Sequence, residues 1–286
     1  MKQVIVNADD LGLTPGVNRG IVEAHRKGIV TSTSVMITLP DAPAGLELAL
    51  TEAPNLGLGL HLTLTAGRPV LPAARVPSLV DDNGQFYPIH AWPAAMETFD
   101  SDDLRAEIEA QFEEFTRRVG RKPDHLDAHH HAAYLHPAAL RAVCDLAVEH
   151  GLPIRSPMLD QPDAHSGVLV REMLSGLRPE RLPALLESLR AALDAGPRPR
   201  WPDTLVLDYS TERPTLAALL VTLTTLPDEG ITEIMCHPGY VDDPLREVST
   251  LIESREEELL HLTHAATREC VQSEGIKLVT FAALSS

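Results

Sequence analysis

"QVIVNADDLGLTPGVNRGIVEAHRKG", residues 3–28, contains one round of the pattern from which the chain is built. The apolar run Val4–Val6 reads as a short buried strand, and it stops at two adjacent carboxylates, Asp9 and Asp10. From Gly16 to Lys27 apolar residues then recur at helical spacing, before a stop at Gly28. The same alternation recurs outward from this stretch. "STSVMITL" (32–39) is β-branched and precedes the helix-like "APAGLELALTEA" (42–53). "LGLGLHLTL" (56–64) precedes "LRAEIEAQFEEFTRRVG" (104–120), and "HLDAHHH" (125–131) precedes "HPAALRAVCDLAVEHG" (136–151). "LPIR" (152–155), "DTLVLDY" (203–209), "ITEIMCH" (231–237) and "IKLVTF" (276–281) read as later strands. Residues 215–226 and 249–275 read as helices between them.

Strands alternating with helices imply parallel strands joined by crossover helices. Roughly eight strand candidates favour a barrel over an open doubly wound sheet. No GxGxxG or GxxxxGK loop follows the first strand, which weakens a nucleotide-binding open sheet. The expected fold is therefore α/β: a single-domain (β/α) barrel over residues 1–286, irregular or incomplete. Residues 66–100 and 157–203 are rich in Pro and Gly or irregular, and are expected as long loop insertions over the C-terminal face of the strands. A helix at "RLPALLESLRAALDAG" (181–196) interrupts the second.

A net charge of −17 argues against nucleic acid, whose recognition needs clustered Lys and Arg. Three widely spaced cysteines, Cys144, Cys236 and Cys270, form neither a disulfide framework nor a CxxC site. No apolar stretch is long enough to span a membrane. "MKQVIVNADD" lacks the charged and apolar regions of a secretory leader, so a cytoplasmic location is expected.

The chemistry collects at strand ends. Asp9 and Asp10 end the first strand, His61 lies in or at the end of the third, His129 ends the fourth, and His237 ends "ITEIMCH". In a parallel barrel these ends meet on one face. Strand periodicity places His125, Asp127 and His129 on one face and Leu126 and Ala128 on the other. Likewise Gly57, Gly59 and His61 share a face opposite Leu58 and Leu60. Two imidazoles and a carboxylate at one mouth make an N,N,O set suited to a divalent ion, with positions left for water and substrate. Arg155, ending "LPIR", is a candidate to orient a carboxylate or to close a salt bridge towards the helices. His25, His90, His136, His150, His165, His261 and His264 lack that convergence and read as structural. The run "ESREEELLHLTH" (253–264) reads as a solvated helix face.

"NADDLG", "GIVTSTSVM", "GLHLTLTAGRP", "GRKPDHLDAHHH" and "MCHPGY" together resemble the YdjC-like carbohydrate deacetylases, which include diacetylchitooligosaccharide deacetylases. The resemblance runs in order from the first strand to residue 240 and is weak between "HAAYLHP" and "TLVLDYS". It implies a β/α barrel, one divalent metal ion (Mg²⁺ or Zn²⁺), and hydrolysis of the N-acetyl group of an amino sugar or oligosaccharide. Carried over by motif, the metal ligands would be Asp10, His61 and His129, with Asp9 as general base. Leu11 stands where the family commonly has Phe, and Ala133 where a further His is frequent. His237 is the candidate general acid for the departing amine, and His125, Asp127 and Arg155 are candidates for substrate or supporting contacts.

Two other readings stand beside this one. A glycoside hydrolase needs its two acids on opposite sides of a bond, roughly 5 to 9.5 Å apart, which adjacent aspartates suit poorly. A carbohydrate-binding barrel without catalysis would have no use for an intact Asp pair. The expected partner is an N-acetylated amino sugar, with no nucleic acid and no membrane span; a homo-oligomer is left open.

Overall fold

A computed structural model of the chain describes residues 1–157, 179–207 and 214–284. Its strands are β1 (Gln3–Leu11), β2 (Ser32–Val35), β3 (Gly57–Leu62), β4 (Leu126–Ala128), β5 (Thr204–Val206), β6 (Ile231–Cys236) and β7 (Lys277–Leu278). The helices are α1 (Pro15–Lys27), α2 (Ala42–Glu52), α3 (Trp92–Ala95), α4 (Ser101–Val119), α5 (Pro137–His150), α6 (Leu182–Asp194), α7 (Leu216–Thr225), α8 (Asp243–Val248), α9 (Glu253–Leu262) and α10 (Ala265–Ser273). The ladders of β1 with β2, β6 and β7, of β3 with β4, and of β5 with β6 are parallel. The α/β class expected from the alternating pattern is the one observed.

The chain forms two compact units: residues 1–36, 40–59 and 201–286 in the first, and 37–39 and 60–200 in the second. In the first unit the strand order is β3-β2-β1-β6-β5, with β7 also beside β1. Val4, Ile5, Val6 and Ala8 of β1 are fully buried, as befits a parallel strand covered on both faces. The Val4, Ile5 and Val6 side chains each stabilise the fold by roughly 1.5–3 kcal/mol relative to exposure. Helix α1 starts where it does because the Thr14 hydroxyl accepts from the Val17 amide and Pro15 occupies the first turn. It ends with His25, Arg26 and Lys27, cations suited to the helix C-terminus, and packs on β1, α2 and α9.

In the second unit the end of β3 pairs with β4, placing His61 opposite Asp127. Helix α4 is capped by the Asp100 carboxylate, carries Asp102 and Asp103 in its first turn, and stops at Gly120 with φ of 77°. Residues 66–100 are more ordered than the expected loop, with three short 3₁₀ turns and α3. Two α4 carboxylates hold the segment. Glu107 accepts from the Val70 and Leu71 amides, and Asp103 from the amide and hydroxyl of Ser78. Trp92 then anchors it in a core of Met96, Ala132 and Leu135.

Two expected elements differ. "LPIR" contributes only one bridge, Ile154 to Leu126, with the Ile154 amide donating to the Arg200 carbonyl. Residues 249–275 form two helices rather than one, because His264 leaves the helical conformation and its Nδ1 caps α10 by accepting from Ala266. Of the second expected insertion, α6 is present; residues 158–178, including His165, and the end of "DTLVLDY" at Asp208 and Tyr209 lie outside the described residues.

Candidate functional site

The first unit holds Asp9, Asp10 and His237. Strict alternation along β1 would send the two aspartates to opposite faces of the sheet. The β1–β2 register instead slips between Ala8 and Leu11, and Asp10 adopts φ of 74°. Such a bulge re-aims a side chain, and aspartate tolerates the left-handed conformation better than most residues. The two carboxylates take different partners. Asn7 Nδ2 donates to Asp9 Oδ1 at 2.8 Å and to Ser34 Oγ at 3.3 Å. Arg255 Nη2 donates to Asp10 Oδ2 at 2.7 Å. Both members of this ion pair are about 2% exposed.

His237 follows β6, with Nε2 4.0 Å from Asp9 Oδ2. Its loop is tied down by the backbone. The His237 amide donates to Glu258 Oε2, the Gly239 amide to the Arg255 carbonyl, and the Tyr240 amide to the Gly16 carbonyl. The Tyr240 hydroxyl donates to Glu23. A Cβ on Gly20 would lie 2.5 Å from Gly239 Cα, so only glycine lets α1 approach this loop so closely.

Arg255 and Glu258 were missed as functional candidates, because 253–264 reads as a solvated face. In the structure Arg255, Glu258, Leu259 and Leu262 are buried. Their i, i+3, i+4, i+7 spacing was the available signal that one face of α9 turns inward.

The second unit holds His61, His125, Asp127, His129 and Arg155. His61 Nδ1 lies 2.7 Å from Asp127 Oδ1, and Arg155 Nη2 lies 3.1 Å from Asp127 Oδ2. Burial pushes the Asp127 carboxyl up, but attraction to the His61 ring and to the Arg155 guanidinium, with the hydrogen bond to His61, outweighs it and holds the group below the ordinary carboxylate range. An ionised Asp127 only accepts, so the imidazole proton sits on Nδ1 and Nε2 is the atom His61 presents. A carboxylate behind an imidazole is the arrangement that orients metal-binding histidines. The His129 ring stands edge-on to His61 at 5.3 Å between centroids.

β4 ends at Ala128, so His129 opens a turn rather than finishing the strand. His130 and His131 both have positive φ, 53° and 50°, and the His130 ring lies against that of His129 at 3.8 Å between centroids. His130 Nδ1 lies 2.9 Å from Thr65 Oγ1, and His131 is buried beside Tyr134. His125 is fully buried with Nδ1 2.6 Å from Asp124 Oδ1. Arg155 orients a carboxylate, that of Asp127, within the protein. The end of β3 is clamped from α4: Gln111 accepts from the Thr63 amide, donates to the Thr63 carbonyl, and donates to Glu107.

Each unit thus carries a buried carboxylate–arginine pair, Asp10–Arg255 in the first and Asp127–Arg155 in the second, together with histidine. That is equipment of a hydrolytic α/β protein with an Asp- and His-based polar centre. The chain belongs to the YdjC-like protein family, which matches residues 3–273. It is 34% identical over 284 residues to the carbohydrate deacetylase of Thermoanaerobacter pseudethanolicus, covering 99% of this chain and all of that one. It is 33% identical over 280 residues to the chitooligosaccharide deacetylase of Proteus mirabilis, covering 97% of each. A crystal structure from Enterococcus faecalis V583, described as a cellobiose-phosphate cleavage protein, superposes with a TM-score of 0.81 at 30% identity, covering 100% of this chain and 99% of that one. Among the described residues no helix is long and apolar enough to cross a membrane.

Proposed function

We propose that the protein is a metal-dependent hydrolase that removes the N-acetyl group from an amino sugar or oligosaccharide. Asp10, His61 and His129 together take one divalent cation, Mg²⁺ or Zn²⁺. The observation that carries this reading is the 2.7 Å contact of His61 Nδ1 with Asp127, which orients the imidazole as in metal-binding histidines. The donor set fits: two nitrogens and a carboxylate oxygen suit either ion, with positions left over. Relatives of full length named for carbohydrate deacetylation support the reaction class.

A cation bound there supplies a Lewis acid that polarises the acetyl carbonyl and acidifies water. The side chains do the proton work. Asp9 takes the proton of the attacking water while Asn7 steadies its other oxygen. His237, 4.0 Å from Asp9, delivers a proton to the sugar nitrogen as the C–N bond breaks, leaving acetate and a free amine. Asp10 accepts from Arg255 and Asp9 from Asn7, so the adjacent carboxylates have separate tasks.

Purified protein should release acetate from N-acetylated amino sugars, and EDTA should abolish that release until a divalent ion is returned. Glycosidic cleavage of the same sugars, unaffected by EDTA, would make it a glycoside hydrolase instead.

A further inference from the structure

We propose that Arg255 sets which cation the protein accepts, by holding Asp10 to ligation through a single oxygen. This rests on the reading of Asp10 as a metal ligand. Arg255 comes from α9, 245 residues away in sequence, and its Nη2 reaches Asp10 Oδ2 at 2.7 Å. Its Nε donates to the Leu251 carbonyl at 3.0 Å, which fixes the plane of the guanidinium. The side chain is buried, and among the described residues Nη1 has no hydrogen-bond partner. A buried arginine with part of its donor set idle is a costly way to build a core, and a packed apolar residue of that volume would serve stability as well. Its ion pair is specific: one oxygen of one carboxylate.

That contact has a consequence for ion choice. A cation gripping both oxygens of Asp10 would have to approach a guanidinium already seated on Oδ2, and like charges at such range repel. A cation bound through the other oxygen alone avoids this. Zn²⁺ is complete with four ligands and needs only one carboxylate oxygen, whereas Mn²⁺ prefers six, oxygen-rich, and gains from a second. Arg255 therefore favours Zn²⁺ over Mn²⁺. Removing the positive charge alone strengthens both ions alike. Freeing the second oxygen strengthens Mn²⁺ more, so the ratio of the two affinities separates the effects.

The test is isothermal titration of metal-free full-length protein with Zn²⁺ and with Mn²⁺, for wild type, Arg255→Met and Arg255→Lys. The expected result is a Mn²⁺-to-Zn²⁺ affinity ratio raised about tenfold or more in Arg255→Met. Arg255→Lys, which keeps a cation on one oxygen, should stay within about twofold of wild type. A ratio unchanged in folded Arg255→Met overturns the inference while leaving the metal site intact. If Arg255→Met does not fold, Arg255→Gln takes its place and the same unchanged ratio overturns it. Absence of any ion binding by wild type removes the metal reading itself, and this inference with it.

Discussion

Asp127 accepts the Nδ1 proton of His61 at 2.7 Å from the facing position in the β3–β4 ladder, 66 residues further along the chain. Register alone makes the pair. Arg155 closes the far side of the same carboxylate, so the imidazole ends a chain of three buried side chains. On this relationship depends which nitrogen of His61 faces outward, and hence whether the ring can serve as a ligand.

Asp127→Asn should weaken divalent-ion binding by about 10- to 100-fold, because the amide holds the His61 tautomer poorly. His61→Ala and His129→Ala should lose bound metal and turnover together. Metal content by mass spectrometry, set beside acetate release, checks all three variants.

Asp9→Asn should lower turnover by about 100-fold or more while metal content stays at the wild-type level. The substitution removes a proton acceptor and keeps the shape that Asn7 and the bulge require. Turnover near wild type would reassign the base.

Gly20→Ala should destabilise the protein by about 1–3 kcal/mol and reduce turnover, since the new methyl would press on Gly239. The push travels through the backbone of the loop that begins at His237. Urea denaturation measures the first effect and acetate release the second.

Burial raises the Glu107 carboxyl above its ordinary value of 4.5, against the opposing bonds from Gln111, Val70 and Leu71. The folded protein therefore keeps that proton to a higher pH than the unfolded chain, and unfolding releases it. Stability from this group is present below pH 4.5 and is lost as pH rises through the raised folded value. Glu107→Gln should remove this component. The difference in urea midpoint between wild type and variant should change across that window and be flat well below it.

Particular residues show how far local pattern reaches. Val4–Val6 followed by Asp9–Asp10, and the Gly-stopped helix after them, are visible because apolar periodicity and capping are short-range signals. That His61 lies near the end of a strand, and that His129 and His237 stand next to one, can be read by the same reasoning. The break at His264 was not visible, since nothing in "LTHAATREC" opposes a continuous helix and the interruption depends on His264 acting as a cap. Arg255 was misread for a related reason: charge content outweighed the spacing that turns its face inward.

The chain's own order of residues determined the alternating α/β plan, the carboxylates and imidazoles available at the strand ends, and the motifs that mark the family. Tertiary structure alone decided which way those groups point and what each one holds. A one-residue slip beside Asp10 reverses a side chain, and partners such as Arg255 lie on segments that meet only after folding. Neither a register shift nor a distant ion pair leaves a local trace, because both are set by packing between strands and helices rather than by neighbours in sequence.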